Sequence, residues 1–312
     1  MSIVYAVLLG LVAGTHAATW GAFKDSPFEG FKAVSFARSI ALAVAVALVL
    51  STTTDLDTSL DPVVLLGVLY AGERLATEWW KSFFREDDQT AYAIPMRVAV
   101  AGRPVDARLP RYLTAFVVLT GLVLTCWAAS ALQPAGGGPL WSLLLVGGVG
   151  GWLTAVGGAW KDAPVEGFSG WKFLRSPVVA TAWVLMLLPF THDWVAIAVA
   201  AAGLSVLSIE TYKTFLTGGR PPGKFDGKPV RPVSGRRRDR CRLLHAGVYV
   251  GLACAAGLTV LLDQRDQTAS SMASLTVLAV AAAAMAILVA LSPSTDTGSG
   301  ARRKVVADVV PS

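Results

Sequence analysis

Apolar residues in this chain gather into long blocks, and polar residues gather between them. An amphipathic helix or a half-buried strand would interleave the two. Crossing a bilayer as a helix takes about 20 mostly apolar residues. Nine blocks approach or reach that length, at about 3–20, 38–54, 60–78, 112–133, 139–159, 176–191, 194–211, 242–262 and 271–292. The third and sixth are the least secure. The first block has no basic residue between Met1 and Tyr5, unlike a secretory signal. It also corresponds to the fifth block, which lies mid-chain, and so it reads as a span.

Composition agrees with this pattern. Of 312 residues, 54% are hydrophobic and 15% charged, against about 25% charged in soluble domains. The expected fold class is an all-α polytopic membrane protein of about nine transmembrane helices.

The polar segments between blocks repeat. Lys-Asp-x-Pro-x-Glu-Gly-Phe occurs at Lys24, Asp25, Pro27, Glu29, Gly30, Phe31 and again at Lys161, Asp162, Pro164, Glu166, Gly167, Phe168. The same offset carries Phe36, Arg38 and Ser39 onto Phe173, Arg175 and Ser176. A second element, Glu-x-aromatic-Lys-[Ser/Thr]-Phe, closes the third block (Glu78 to Phe83) and the seventh (Glu210 to Phe215). Gly102-Arg103-Pro104-Val105 answers Gly227-Lys228-Pro229-Val230. These anchors divide the chain into two four-span units, 1–134 and 135–265, followed by a ninth span in 266–292 and a Ser-, Gly- and Arg-rich tail, 293–312, expected to be disordered. An even number of spans per unit makes the repeat parallel, related by an axis along the membrane normal.

The net charge of +6 is distributed by side. If the segments after spans one, three, five and seven share a side with the tail, that side holds all but Arg265 of the 27 Lys and Arg residues. Asp55, Asp57, Asp61, Asp193, Asp263 and Asp266 then fall opposite. Basic residues mark the cytoplasmic side, so the expectation is a cell-membrane protein with its N-terminus outside and its C-terminus in the cytoplasm. The excess charge is accounted for by orientation and by anionic membrane lipids; no nucleic-acid partner is implied.

Both repeated elements lie on the basic side, and their residue types suit one chemistry. Lys24, Arg38, Lys81, Lys161, Arg175 and Lys213 are candidates to bind phosphate. Asp25, Glu29, Glu78, Asp162, Glu166 and Glu210 are candidate Mg²⁺ ligands, since Mg²⁺ is held by carboxylates and substrate phosphates. A structural alternative is an interfacial turn with a snorkelling Lys and an aromatic anchor. Each unit carries a complete set, so each motif is expected to serve its own half beside its own Glu-x-aromatic-Lys helix end. Gly218-Gly219-Arg220-Pro221-Pro222-Gly223-Lys224 lacks phosphate-loop spacing. His16, His192 and His245 read as structural, and Cys126, Cys241 and Cys254 show no metal-type spacing and no expected disulfide. Lys24 and Glu29 stand five positions apart, unlike the Lys-x-x-Glu-Gly of CTP-dependent phosphatidate cytidylyltransferases, so nothing is carried over from those enzymes.

The first functional expectation is an enzyme acting on an anionic lipid or isoprenoid phosphate at the cytoplasmic face, with Mg²⁺. A transporter or channel between the repeats is the alternative, and a membrane scaffold is a third. The charge partition makes a direct prediction. Reporters fused after residues 95 and 225 should be cytoplasmic, and those after residues 57 and 266 external. An odd number of crossings between residues 24 and 161 would contradict the parallel repeat.

Overall fold

The computed structural model describes residues 3–54, 60–217, 223–231, 235–262 and 267–292. The tail 293–312, and Asp55, Asp57, Asp263, Arg265 and Asp266, lie outside the described residues. Nine long helices account for most of the described residues: α1 Ile3–Glu29, α2 Ala33–Thr53, α3 Pro62–Trp79, α4 Arg108–Leu132, α5 Leu140–Glu166, α6 Gly170–Leu187, α7 Trp194–Thr211, α8 Gly235–Leu262 and α9 Ala269–Leu291. Seven of them are long and apolar enough to cross a membrane, and the chain is a helical, multi-pass type of protein. The other two are α3 and α6, each of 18 residues. α3 carries Glu73, Arg74 and Glu78, and α6 carries Lys172 and Arg175.

Polar side chains set several helix starts. Asp61 accepts from the Val63 amide at 3.1 Å and is followed by Pro62 at the first position of α3, where a missing N–H costs nothing. Asp193 caps α7 through the Ala196 amide at 2.7 Å. The ends are more unusual. The Lys-Asp-x-Pro-x-Glu segments, expected as turns, are instead the last helical turns of α1 and α5. Each holds a proline, Pro27 or Pro164, close to the end. There a missing N–H removes only one bond of the helical ladder. The reversal comes afterwards, at Gly30 (φ +77°) and Gly167 (φ +83°), where only glycine is unstrained. α3 and α7 likewise both pass into five-residue π-helical turns, Trp80–Phe84 and Tyr212–Leu216, formed by the second repeated element.

Small residues set the packing. In α1, a Cβ at Gly10 would meet the Ala43 carbonyl oxygen at 2.9 Å, and one at Gly14 would meet the Ile40 Cα at 2.5 Å. In α5, Gly147 and Gly151 approach Val184 and Pro177 of α6 in the same way, at 2.3 and 2.6 Å. The α1–α2 and α5–α6 pairs thus use corresponding glycines against corresponding positions. Glycines at this spacing allow backbones of apolar helices to approach closely.

α3 and α7 form the centre. Val64, Leu65, Leu69 and Tyr70 of α3 and Ile197, Ala200 and Ala201 of α7 are fully buried. They cross at Gly67 and Gly203: a Cβ on Gly203 would lie 2.0 Å from the Gly67 carbonyl oxygen. The C-terminal ends of α1, α3, α5 and α7 gather at one end of the bundle. Lys24 pairs with Glu210 at 3.2 Å, and Lys161 reaches Met96, just beyond α3. The opposite end collects residues 133–137, 189–194 and 268–271, where Trp194 donates to the Gly137 carbonyl at 2.7 Å and Ser271 to the Pro189 carbonyl at 3.2 Å.

The central crossing predicts a large penalty for one methyl group. Gly203→Ala should lower the thermal midpoint in detergent by several degrees, since overpacking costs about 1–3 kcal/mol. Gly157→Ala, with nothing within 4 Å of its Cβ position, should leave it unchanged. Equal midpoints for the two variants would show that α3 and α7 do not meet at this point.

Candidate functional site

Where the C-terminal ends of α1 and α3 meet the start of α2, a cavity of about 230 Å³ opens. Four of the expected residues line it: Asp25, Glu29, Arg38 and Lys81. Arg74, Arg85, Lys32 and Lys224 add further positive charge, and Trp20, Phe31, Phe36 and Trp80 supply aromatic walls. The lining is therefore strongly cationic, with only two carboxylates.

Its cations differ in how they are engaged. Arg74 binds Glu78 at 2.7 Å and Glu73 at 3.4 Å, and Lys81 shares Glu78 at 2.9 Å. Lys224 holds the Asp25 Oδ2 at 2.7 Å. Arg85 pairs with Asp87 at 2.6 Å. Arg38 is different. Its guanidinium lies 5.2 Å from the Trp80 ring centre, its Nε is buried without a hydrogen-bond partner, and it forms no ion pair among the described residues. The Asp25 Oδ1 is likewise buried and unpartnered. A guanidinium on an aromatic face at the wall of a cavity, without a carboxylate partner, has a chemistry suited to a phosphate or carboxylate.

The floor is the Trp20 indole. Lys24 lies 4.6 Å and Arg74 5.3 Å from its ring centre. Lys24 itself does not line the cavity; it turns to Glu210.

Beside the cavity, loops from both sequence halves meet. Ala93 donates to the Lys224 carbonyl at 2.8 Å, and Arg231 to the Pro27 carbonyl at 2.5 Å. Phe28 stacks on Phe225 at 4.8 Å. The first loop is held in shape by a charged collar. Arg97 binds Glu86 at 3.0 Å and Asp106 at 3.1 Å, and the fully buried Arg111 binds Glu86 at 2.5 Å. The hydrogen bond from Arg111 holds the Glu86 carboxyl below its ordinary range. Burial raises the Tyr92 hydroxyl above its ordinary range. A two-residue β-hairpin, β1 Ala99–Val100 and β2 Arg103–Pro104, turns at Ala101 and Gly102, both with positive φ.

The second set of motif residues stands outside this cavity. Lys161 contacts Met96, Glu166 pairs with Lys172, Lys213 pairs with Glu210 at 3.3 Å, and the Arg175 Nε has no partner. Asp162 is partly exposed near the end of α5. The expectation that each motif serves its own half therefore needs correction. Lys24 pairs with Glu210 of the other half and Asp25 with Lys224 of the other half. Glu166 leans on Gly223, whose Cβ would stand 1.9 Å from its Oε1. Both copies abut the 223–224 segment, but they occupy unlike surroundings. The physical reason is the shorter second-half loop, which crosses over the end of α1. The within-helix pairs of Lys81 with Glu78 and Lys213 with Glu210 form as the three-residue spacing requires.

Sequence reasoning missed one buried constellation. His16 on α1 and His245 on α8 are fully buried, with ring centres 4.1 Å apart. Around them lie Thr19, Tyr70, Thr211 and Tyr249; three residues past Tyr70 on α3, the fully buried Glu73 accepts from Thr77 at 2.9 Å. The spacing of His16 and His245 along the chain carries no local signal, because four helices from both halves bring the group together. Compared with known proteins, the chain matches no family model, no curated protein and no solved structure.

Proposed function

We propose that this chain is a cell-membrane protein of nine spans, built as two parallel four-helix units with one further helix, that binds a lipid-borne phosphate at its cytoplasmic face. The N-terminus is outside and the C-terminus inside. Support for the two units comes from the shared glycine contacts of α1–α2 and α5–α6, the paired positive-φ glycines and the paired π-helical turns. Support for the orientation comes from the basic end of the bundle, where the cavity opens.

The observation that carries the ligand is Arg38. An unpaired guanidinium in a cationic cavity leaves charge that an anion would neutralise. Aromatic walls and an apolar bundle around it suit a headgroup attached to acyl or isoprenoid chains. Lys81, Arg85 and Lys32, each paired with one carboxylate (Glu78, Asp87 and Glu29), keep further N–H donors for the phosphate. Asp25 and Glu29 are the carboxylates in this cavity that would hold Mg²⁺ against the phosphate, and the unpartnered Oδ1 of Asp25 fits that role. Two protein carboxylates leave the remaining positions of the ion to phosphate oxygens and water, as is usual for Mg²⁺. Asp162 and Glu166 do not line this cavity, and Glu78 and Glu210 are already held by two cations each. The reading is an enzyme that acts on this phosphate. A second reading, movement of the same ligand across the membrane, is favoured by the buried ionisable groups His16, His245 and Glu73 between the halves.

The test is binding of farnesyl monophosphate to the full chain in phosphatidylcholine nanodiscs, with inorganic phosphate and farnesol as comparison probes. Farnesyl monophosphate should bind, and each part alone should bind much more weakly. Arg38→Gln should weaken binding roughly 10- to 100-fold, the range for losing hydrogen bonds to a charged group. Arg175→Gln, the corresponding position outside the cavity, should change it by less than about twofold. Equal loss in both variants, or none in either, would remove the cavity from the reading.

A further inference from the structure

Tyr70 decides the state of the buried constellation behind the cavity floor. The Trp20 Nε1–H can only donate, and it lies 3.0 Å from the Tyr70 hydroxyl oxygen. The tyrosine must therefore send its own proton elsewhere. The His16 Nδ1, at 3.1 Å, is the one other group within reach among the described residues. Nδ1 must then be the bare, accepting nitrogen, since a protonated Nδ1 would leave the tyrosine proton without an acceptor at a fully buried position. The same geometry disfavours an imidazolium, which donates from both nitrogens. The proton of His16 is thus on Nε2, which faces the Tyr249 hydroxyl at 3.0 Å and the Thr211 hydroxyl at 3.1 Å. Both oxygens can accept. Glu73 and Glu210, carboxylates on the surrounding helices, are engaged by Arg74 and Thr77 and by Lys24 and Lys213.

We infer that His16, held as its neutral Nε2–H tautomer, and Tyr70 are positioning residues for the ligand cavity. His16 draws the Tyr70 proton inward, which turns the tyrosine oxygen's lone pair toward Trp20. The indole is thereby fixed as the floor, with Lys24 and Arg74 over its ring. Thr211 and Tyr249 supply the second side of the histidine from α7 and α8, so the floor depends on both sequence halves. In the second half Leu153 takes the place corresponding to His16, and that half builds no such floor. Only the affinity arm of the test rests on the ligand reading above.

The experiment is nitrogen-15 NMR of the full chain in nanodiscs, labelled at histidine, with His192→Gln and His245→Gln used to assign the His16 signals. The expected spectrum shows His16 neutral at pH 7, with Nε2 protonated and Nδ1 bare. Tyr70→Phe should release it to a mixture of tautomers, alter the Trp20 fluorescence and weaken farnesyl monophosphate binding by about tenfold. A merely space-filling tyrosine would move none of these. An Nδ1–H tautomer or an imidazolium in the native chain would overturn the inference, and this holds even if Tyr70→Phe does not fold. Unchanged tautomer and affinity in a folded Tyr70→Phe would overturn it as well. A correct tautomer that responds to Tyr70→Phe, in a protein that binds no farnesyl monophosphate, would support the positioning chain and count against the ligand.

Discussion

The rest of the molecule depends on how closely α3 and α7 can approach. At Gly67 and Gly203 the backbone of one helix fills the space that a side chain of the other would need. Apolar helices in lipid gain little from hydrophobic burial against each other, so van der Waals packing and close backbone contact matter more. The crossing sets the central axis of the bundle. It brings the C-terminal ends of α1 and α7 near enough for Lys24 to reach Glu210. It also brings Thr211 of α7 to His16 of α1. A wider separation of the two helices would break the ion pair, open the histidine cluster and tilt the floor of the cavity.

That geometry gives charge in this protein a definite economy of place. Most cations at the basic end are paired. Glu78 serves Arg74 and Lys81, Glu210 serves Lys24 and Lys213, and Glu86 serves Arg97, Arg108 and Arg111. Charges held near a membrane boundary are costly unless partnered. Arg38 and its counterpart Arg175 form no ion pair among the described residues, and of the two Arg38 is the one that lines the cavity. It lies against the Trp80 ring in the wall of a cavity of about 230 Å³, and the proposed phosphate ligand rests on that placement.

Much of the fold was legible because lipid and helix geometry leave a periodic record. Apolar block length predicts the nine long helices among the described residues, and the third and sixth blocks match the two that fall short of a full apolar span. The repeated Gly30 and Gly167 appear as positive-φ reversals because no other residue enters that region without strain. Part of the site was legible too: Asp25, Glu29, Arg38 and Lys81 do share a cavity. What sequence could not supply were contacts between distant segments. The Lys24–Glu210 and Lys224–Asp25 pairs cross between halves, and nothing local distinguishes them from pairs within a half. His16 lies in an apolar block where Thr19, three residues on, is its one polar neighbour in helical register, and its partners Tyr70, Thr211 and Tyr249 come from three other helices. The helical form of the Lys-Asp-x-Pro-x-Glu segments was hidden by their prolines, which usually mark turns and here each forgo one bond of the helical ladder near the helix end.

The central claim is that the Arg38 cavity holds a phosphate carried by a membrane lipid. The most direct measurement is an experimental density map of the protein extracted with its own membrane lipids. The account predicts headgroup density inside the cavity, with a phosphate within hydrogen-bond distance of the Arg38 guanidinium and its chains leading out into the bilayer. A cavity holding only water, with Arg38 turned to a protein carboxylate, would contradict it.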